Sequence, residues 1–406
     1  MSSQEFLDLE LNTILSTPKI IEIKDLTGAK IEYVYGEFWT SRQRQAKPLH
    51  EVSYRACFKP QLPEYFIDRL TKPGDNVYDP FAGRGTTAIQ AALMGRSIIQ
   101  NDVNPLSKVL TEPRLHVPSL SEIAMRLDDI DFNSKLTPDL DLSMFFEENT
   151  LNEILSYKSY MLSRKENNLL DAIDKWIAMV ATNRLTGHST GFFSVYSFPP
   201  NIAVSSQSQT RINEKRKQKP TYRNTKELIL KKSKSLQSLL TESDRLNLRN
   251  ASKSAVFLSE LANETQQIED SSIQLTVTSP PFLDIVQYSE DNWMRCWFNG
   301  IDSTEVGKKI TMSKTILEWS QKMKDVLVEL YRVTKSGGYL AFEVGEIRNQ
   351  SVNLDELIIP MGMDVGFVIK QVLINTQDFT KTSNLWGVSN NSKGTNTNRI
   401  VIMQKL

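Results

Sequence analysis

The fold of this chain is indicated most clearly by residues 76–102, which read NVYDPFAGRGTTAIQAALMGRSIIQND. Short apolar runs at its two ends predict strands at 76–78 and 97–100. The Ala-rich stretch between them predicts a helix from Ala88 to Met94, which Gly95 ends. A strand, a glycine-rich turn, a helix and a second strand in this order predict a unit of a parallel α/β sheet.

The sheet pattern resumes after a long interruption. Further strands are predicted at 255–258, 274–277, 339–344, 367–375 and 399–403, the last antiparallel, with an amphipathic helix near 314–334. Helical stretches are predicted in the interruption near 120–130, 142–163 and 166–182. The whole pattern predicts an α/β fold with helices on both faces of the sheet and a largely helical insertion.

Composition excludes several classes of protein. The 406 residues are 40% hydrophobic, and 48 basic residues balance 48 acidic ones, so no global positive field attracts nucleic acid. Cys57 and Cys296 are far apart and lack histidines at metal spacing, so we expect neither a disulfide framework nor a metal site. Since no run approaches 18 apolar residues and the first residues are polar and acidic, we expect a soluble cytoplasmic protein.

The glycine-rich turn predicts a site for a nucleotide-like cofactor. Gly83 and Gly85 permit positive φ and close approach of a ligand, and the following helix offers unpaired N–H groups, with Thr86 or Thr87 as its cap. Asp102, at the tip of the next strand, can accept hydrogen bonds from both ribose hydroxyls. This pattern alone fits a nicotinamide dinucleotide as well as S-adenosylmethionine.

A second acid and an aromatic residue stand at the same strand tip as the glycines. The alternative interpretation of the segment is a tight turn with a solvated Asp102. Asp79 and Phe81 favour a cofactor site instead, because an aromatic ring there can face adenine or a cationic sulfonium.

The residues Thr278-Ser279-Pro280-Pro281-Phe282 follow an apolar strand, at the edge where open α/β sheets bind ligands. An exocyclic amino group is a poor nucleophile, and the Ser279 Oγ and the Pro280 carbonyl can accept hydrogen bonds from its N–H groups. The two prolines make the turn rigid, and Phe282 can stack on a base. The alternative interpretation is a Pro-Pro turn in which Phe282 only packs.

Residues 79–87 and 278–282 together resemble the amino-methylating DNA methyltransferases, which act on N4 of cytosine or N6 of adenine. The resemblance extends over roughly residues 50–115 and 250–406. It implies a Rossmann-like sheet, S-adenosylmethionine as cofactor and double-stranded DNA as substrate, with the target base flipped out of the helix. Ser279 favours cytosine N4, since adenine-N6 members mostly carry Asp or Asn there; adenine N6 and an RNA substrate stay open.

The resemblance also implies roles for residues of the candidate site. Residues 50–63 are similar to the family segment that closes over the methionine end of the cofactor, and Ser259 and Glu260 are expected to flank the adenine. The predicted catalytic residues are Ser279, Pro280, Pro281 and Phe282. The predicted cofactor contacts are Phe58, Pro60, Asp79, Phe81, Gly83, Gly85, Thr86, Thr87, Asp102 and Thr278.

The order of the motifs predicts four regions. Residues 1–49 form an N-terminal extension without an assigned function, 50–115 the cofactor part of the catalytic domain, 116–250 an inserted target-recognition region, and 251–406 the catalytic part. One chain carries all the motifs, so a monomer suffices. The resemblance further implies a prokaryotic restriction-modification system, with a separate endonuclease encoded alongside.

DNA contacts are predicted in the inserted region. Residues 211–234 contain ten basic and two acidic residues, a local charge of +8 that can neutralise several phosphates. The candidates are Arg184, His188, Arg211, Lys215, Arg216, Lys217, Lys219 and Arg223. The alternatives are a solvated helical face for the basic run and a small helical core for the aromatic residues 192–198.

Other classes explain less of the sequence. A nicotinamide-dependent dehydrogenase leaves the Ser279 turn without a role, and a non-catalytic DNA-binding module explains neither motif. Methylation of cytosine C5 needs a cysteine nucleophile after a proline, which neither Cys57 nor Cys296 provides.

Overall fold

The computed structural model describes residues 20–26, 28–39, 46–55, 57–197, 203–281, 288–310, 313, 315–347, 352–376 and 397–406. The strands are β1 (Ile20–Leu26), β2 (Ala29–Gly36), β3 (Asn76–Asp79), β4 (Ser97–Asn101), β5 (Val256–Leu258), β6 (Ile273–Thr278), β7 (Thr334–Val344), β8 (Glu346–Ile347), β9 (Val352–Asn353), β10 (Val368–Thr376) and β11 (Thr397–Gln404). Strands β8 and β9 form a separate two-stranded ladder.

Helices connect these strands. They are α1 (Gln61–Leu70), α2 (Thr86–Leu93), α3 (Leu106–Thr111), α4 (Leu120–Asp128), α5 (Glu148–Glu166), α6 (Ala172–Arg184), α7 (Ser206–Arg216), α8 (Thr225–Gln237), α9 (Glu242–Ser252), α10 (Tyr288–Asp291), α11 (Trp293–Phe298), α12 (Ser303–Lys309), α13 (Ile316–Val333) and α14 (Leu354–Val365). Within the part of the chain that the structure describes, none of them is long and apolar enough to cross a membrane.

One nine-stranded sheet, in the order β1-β2-β10-β11-β7-β6-β3-β4-β5, forms the centre of the fold. Strands β5, β4, β3, β6 and β7 are parallel. Strand β11 is antiparallel to both of its neighbours, as the sequence predicts. The alternating residues of the N-terminal region form the β1–β2 hairpin, which extends the sheet through parallel pairing of β2 with β10.

Alternation along the strands creates a core on each face of the sheet, because successive side chains point to opposite sides. Val77 joins the core that contains α1 and α2, whereas its neighbour Tyr78 joins the core that contains α13 and α14. Ala341 and Leu340 divide between the same two cores. The predicted α/β fold with helices on both faces of a Rossmann-like sheet is therefore confirmed.

The structure differs from the sequence prediction at the start of β7. The sequence predicts a strand at 339–344 after a helix near 314–334, but the strand begins at Thr334. Its pairing with β6 shifts between Ile273 and Leu275, so the extra residues bulge out of the ladder. Gly337, with φ of 78°, supplies the backbone conformation that the bulge needs.

The insertion between β4 and β5 contains helices α4–α9, which pack on the α1–α2 face of the sheet. Its centre is Trp176 of α6, which is fully buried and donates a hydrogen bond to the Ser233 hydroxyl of α8 over 3.0 Å. The carboxylate of Asp174 is buried and binds Arg126 of α4 and Arg164 of α5. These contacts join α4, α5, α6 and α8 into one packed unit.

Candidate active site

The parallel strands end at one edge of the sheet, and the candidate site is built there. Asp79 ends β3, Asp102 follows β4, Ser279 follows β6 and Glu343 lies near the end of β7. Because β4, β3, β6 and β7 are neighbours in this order, these side chains meet although they are far apart in sequence.

The glycine-rich turn requires glycine at two positions. Gly85 caps α2 with φ of 72°, and a Cβ atom there would overlap the Thr111 side chain. Gly83 has φ of 51°, and its Cβ would lie 3.2 Å from the Tyr54 ring. The Gly83 backbone and the Tyr54 ring therefore approach each other closely, and Tyr54 covers this side of the turn.

The expected capping of α2 by Thr86 or Thr87 is wrong. The cap residue is Gly85, without a side-chain cap, and both threonines lie inside the first turn of the helix. Thr87 donates its hydroxyl hydrogen to the Val277 carbonyl of β6 over 3.1 Å, and the Thr86 oxygen accepts from Arg84 Nε over 3.1 Å. The side chains of the two threonines hold the turn in place and do not accept hydrogen bonds from the free N–H groups at the start of α2.

Asp79 connects the glycine-rich turn to the catalytic segment. Its carboxylate is buried and accepts hydrogen bonds from the Phe81 N–H over 3.1 Å and from the Thr278 hydroxyl over 2.7 Å. Burial raises the pKa of Asp79 to about 7, because loss of hydration outweighs the stabilising hydrogen bonds. Asp79 and Thr278 thus support the site from below; neither lines the pocket described next.

A pocket that is open to solvent lies above these strand ends. Of the predicted residues, Phe81, Gly83, Asp102, Ser279 and Pro281 line it. The predicted cofactor turn and the predicted catalytic segment therefore share one pocket.

Asp102 is the carboxylate in this pocket that faces the glycine-rich turn. One oxygen accepts from the Gly83 N–H over 2.7 Å and the other from the Asn104 N–H over 2.9 Å. Burial raises the pKa of Asp102 to about 6. Each carboxylate oxygen retains a further lone pair, so the group can hold the turn and still accept hydrogen bonds from a ligand.

Several residues of the pocket were not among the predicted contacts. Tyr54 and Cys57 form one wall, and Leu261, Ala262 and Lys309 contribute from other segments. Glu260, expected to flank the adenine, also lines the pocket, and its backbone exchanges hydrogen bonds with the Asn101 side chain. Tyr54 and Cys57 belong to the segment 50–63 that was expected to close over the cofactor, whereas Leu261, Ala262 and Lys309 were not singled out in the sequence.

Phe58 and Pro60 lie next to the pocket without lining it. Phe58 packs against the α1–α2 core, and its carbonyl accepts a hydrogen bond from Arg84. Pro60 is buried and caps α1. The segment 50–63 does reach the pocket, but through Tyr54 and Cys57.

The catalytic segment is held from two directions. Thr278 pairs with Phe342, so Ser279 lies beside Glu343, whose carboxyl accepts a hydrogen bond from the Ser279 hydroxyl. The Pro281 carbonyl accepts from Trp319 Nε1 over 3.1 Å. Pro280 is buried between these anchors, and Phe282 lies outside the described residues.

Glu343 is a residue of the candidate site to which the sequence assigned no role, although its strand end resembles the family. It is buried, accepts a hydrogen bond from the Asn398 amide as well as from Ser279, and burial raises its pKa to about 7. Its neighbour relation to Ser279 depends on the strand order and could not be read from the local sequence.

Arg184 and His188 cluster around one aromatic ring in the insertion. The Arg184 guanidinium lies 4.0 Å from the centre of the Phe192 ring, and the His188 ring is 6.0 Å away from it. Burial, with the nearby Arg295, lowers the pKa of Arg184 to about 10. Phe192 and Phe193 are buried, which favours the alternative interpretation that these aromatic residues belong to a helical core.

The predicted phosphate contacts gather around the C-terminal end of α7. Arg211, Lys215, Lys217 and Lys219 are exposed and form no ion pair with a carboxylate among the described residues. Arg216 lies 3.4 Å from the centre of the Tyr196 ring. Arg223 is half-buried where α8 begins, and its N–H donates to Thr150 over 2.8 Å. We call Arg211, Lys215, Arg216, Lys217 and Lys219 the basic cluster.

Comparisons with known proteins show which family part of the chain is similar to. Residues 16–107 match the N6/N4 methyltransferase family, described as DNA methylase. Over 110 residues the chain is 31% identical to the Type II methyltransferase M.MjaII of Methanocaldococcus jannaschii, an alignment that covers 27% of this chain and 21% of that protein. Over 276 residues it is 20% identical to the Type II methyltransferase M.BsoBI of Geobacillus stearothermophilus, covering 63% of this chain and 53% of that protein.

The chain thus spans about half, or less, of the length of these relatives. Among solved structures, an S-adenosylmethionine-dependent methyltransferase from Methanosarcina mazei aligns with 84% of this chain and 97% of its own, at 12% identity and a TM-score of 0.32.

The fold defines a Rossmann-like α/β protein with a pocket at the carboxyl ends of its parallel strands. The sequence matches confirm its predicted resemblance to the amino-methylating DNA methyltransferases and support S-adenosylmethionine as its cofactor. They do not separate the cytosine-N4 from the adenine-N6 enzymes.

Proposed function

We propose that this protein is a site-specific DNA methyltransferase that transfers a methyl group from S-adenosylmethionine to the N4 amino group of a flipped-out cytosine in double-stranded DNA. The observation that carries this proposal is the shared pocket, which is lined by Ser279 and Pro281 as well as by Phe81, Gly83 and Asp102. Adenine N6 is the alternative target. A DNA-binding module without catalysis would need no such pocket.

The pocket fits the proposed cofactor in its chemistry. Asp102 can accept hydrogen bonds from ribose hydroxyls, and the Phe81 ring offers a negative face to a sulfonium or to adenine. Leu261 and Ala262 provide apolar surface for a base, while Tyr54 closes the side next to Gly83. When bound, S-adenosylmethionine supplies an electrophilic methyl group on a positively charged sulfur.

Ser279 and Pro280 are the groups proposed to activate the target amine. The Ser279 hydroxyl donates its hydrogen to Glu343, so its oxygen lone pairs are free to accept an N–H of the base. The Pro280 carbonyl can accept the second N–H. Two acceptors favour a pyramidal nitrogen whose lone pair is directed out of the ring, which raises its nucleophilicity.

Methylation of the amine also releases a proton. Glu343, whose pKa is about 7, is positioned to receive that proton through the Ser279 hydroxyl. Apart from this transfer the reaction depends mainly on positioning, because the nucleophile and the methyl group must be in line. We propose that Phe282 stacks on the flipped base.

DNA is proposed to lie across the insertion. The basic cluster presents exposed cations that can neutralise phosphates and release counterions. Arg184 and His188 are proposed to contact DNA from the neighbouring cluster around Phe192. We further propose a cytoplasmic, monomeric prokaryotic enzyme of a restriction-modification system, with a separate endonuclease as its counterpart.

Transfer of a radiolabelled methyl group tests the proposal. The purified protein is incubated with labelled S-adenosylmethionine and with either unmethylated duplex DNA or RNA, beside the Ser279→Ala variant as control. We expect label on DNA with the wild type and strongly reduced label with the variant. Label on RNA alone would contradict the DNA substrate, and no label on either would contradict the proposed activity.

A further inference from the structure

One wall of the pocket is formed by a segment with little regular structure of its own. After the single 3₁₀ turn at Pro48–His50, residues 51–55, 57 and 58 run in irregular conformation and bring Tyr54 and Cys57 to the pocket. We call residues 49–55 with 57 and 58 the wall segment. Because no ladder or helix fixes most of it, its position depends on side-chain contacts.

Arg84, between the two glycines of the turn, binds the wall segment at two points. Its guanidinium donates to the Val52 carbonyl over 3.0 Å and to the Phe58 carbonyl over 3.3 Å. Its Nε donates to the Thr86 hydroxyl over 3.1 Å. One planar group therefore joins the middle and the end of the wall segment to the first turn of α2, a geometry that the rigid five-donor fork of arginine allows and a lysine does not.

Arg114 supports this arrangement from behind. It is fully buried, donates to the Leu49 carbonyl over 3.3 Å and to the Arg84 carbonyl, and its Nε bonds to Leu110 over 2.9 Å. Burial and the nearby Arg84 lower the pKa of Arg114 to about 9. The backbone at Arg84 and the start of the wall segment are thus bound by the same side chain.

The opposite side of the wall segment is attached to the rest of the protein without Arg84. The Ser53 N–H donates to Asn183 over 3.1 Å, and its carbonyl accepts from Arg295 over 2.9 Å. Arg55 pairs with Asp291 over 3.0 Å. Loss of the Arg84 side chain should therefore shift the wall segment relative to the turn and leave the segment attached to Asn183 of the insertion and to Arg295 and Asp291.

We propose that Arg84 is a positioning residue for the cofactor: it fixes the wall segment, and with it the Tyr54 ring, against the Gly83 turn, and so sets the width of the cofactor pocket. The narrow space between them, where a Cβ on Gly83 would lie 3.2 Å from Tyr54, shows how small a displacement would matter. The identity of the ligand rests on the proposed function. The contact between the glycine-rich turn and the wall segment is independent of it.

The test compares the binding of S-adenosylhomocysteine by calorimetry in the wild type, Arg84→Ala and Arg84→Lys. We expect Arg84→Ala to weaken binding by about tenfold or more, since two charged hydrogen bonds are lost. Arg84→Lys should fall between the two, because an ammonium group can replace only one point of the fork. Guanidinium ions at millimolar concentration should restore part of the affinity that Arg84→Ala loses. They should leave the affinity of the wild type unchanged.

Arg96 provides a matched control. It is also half-buried and donates to backbone and side-chain oxygens, here to the Thr71 hydroxyl over 2.9 Å and to the Thr71 carbonyl over 3.0 Å. It precedes β4 at the other end of the strand from Asp102, so it lies away from the pocket. Arg96→Ala should lower the midpoint of thermal unfolding and leave the affinity for S-adenosylhomocysteine unchanged.

Kinetics and hydrogen exchange separate positioning from general destabilisation. In Arg84→Ala the KM for the cofactor should rise by about the same factor as the dissociation constant, with kcat at saturating cofactor nearly unchanged. Amides of the wall segment should exchange faster in Arg84→Ala than in Arg96→Ala.

A folded Arg84→Ala protein with wild-type affinity and wild-type exchange would overturn the proposal. A wild type that binds no cofactor, with wall exchange still dependent on Arg84, would instead overturn the proposed function.

Discussion

Thr278 donates its hydroxyl hydrogen to the buried carboxylate of Asp79 over 2.7 Å. Asp79 begins the glycine-rich turn and Thr278 precedes Ser279, so this bond joins the two motifs across the neighbouring strands β3 and β6. The same carboxylate accepts the Phe81 N–H. This hydrogen bond, the Thr87–Val277 bond and the pairing of β3 with β6 together hold the glycine-rich turn and the Ser279 turn in their relative position.

Replacing Thr278 by Val removes this bond while conserving volume. We expect a loss of about 1–3 kcal/mol in the free energy of unfolding, because Asp79 is left buried with one donor fewer. Urea denaturation measures the loss. Thr278→Ser retains the hydroxyl and should keep most of the stability; a Thr278→Val variant as stable as the wild type would mean that the hydrogen bond to Asp79 contributes nothing.

Ser279→Ala separates catalysis from cofactor binding. The substitution should lower turnover about a hundredfold, the effect typical of removing one group that stabilises the transition state. It should leave the affinity for S-adenosylhomocysteine nearly unchanged. Asp102→Ala should show the reverse pattern, in which the affinity for S-adenosylhomocysteine falls before turnover at saturating cofactor does. Steady-state kinetics and calorimetry on both variants check this, and unchanged turnover in both would remove these residues from the site.

Cofactor binding should depend on the protonation of Asp102. Its pKa is raised to about 6, so the carboxylate that accepts ribose hydroxyls is present above pH 6 and is lost as the pH falls through that value. The affinity for S-adenosylhomocysteine should be constant from pH 7 to 8 and decline below about pH 6. Calorimetry between pH 5 and 8 measures it. Asp102→Asn should bind more weakly at neutral pH with a flat profile; a wild-type profile that is equally flat would contradict the role of Asp102.

The basic cluster should determine the salt dependence of DNA binding. Replacing Lys215, Arg216 and Lys217 by Ala should reduce the slope of log affinity against log salt by about 2–3, since each phosphate contact contributes roughly 0.9. Lys324→Ala is a suitable control, because Lys324 is partly exposed and pairs with Asp364 on the α13–α14 face of the sheet. A triple variant with the wild-type slope would identify the cluster as a solvated face.

The sequence predicted those parts of the fold and site that are encoded locally. The strand, turn and helix of residues 76–102 and the strand before Ser279 have clear periodicity, and parallel strands necessarily bring their carboxyl ends to one edge. Helices α7, α8 and α9 were read only as a polar basic segment. They bury few residues and begin at the caps Ser205, Asn224 and Thr241, a signal weaker than an apolar stripe.

The remaining differences arise from tertiary contacts. Tyr54 and Leu261 reach the pocket from distant segments, and Glu343 meets Ser279 only because β6 and β7 are neighbours. Thr86 and Thr87 have the residue type of helix caps, yet the cap of α2 is Gly85, which has positive φ and lies against the Thr111 side chain. The residue preferences of the local sequence predicted the turn correctly and the cap of α2 wrongly.

Identification of the methylated nucleoside tests the central claim most directly. Unmethylated DNA is incubated with the protein and S-adenosylmethionine, digested to nucleosides and analysed by mass spectrometry, with Ser279→Ala in parallel. We expect N4-methylcytosine from the wild type and a strongly reduced amount from the variant. N6-methyladenine alone would contradict cytosine N4 as the target and the inference from Ser279, and no methylated nucleoside at all would contradict the assignment of the shared pocket to methyl transfer.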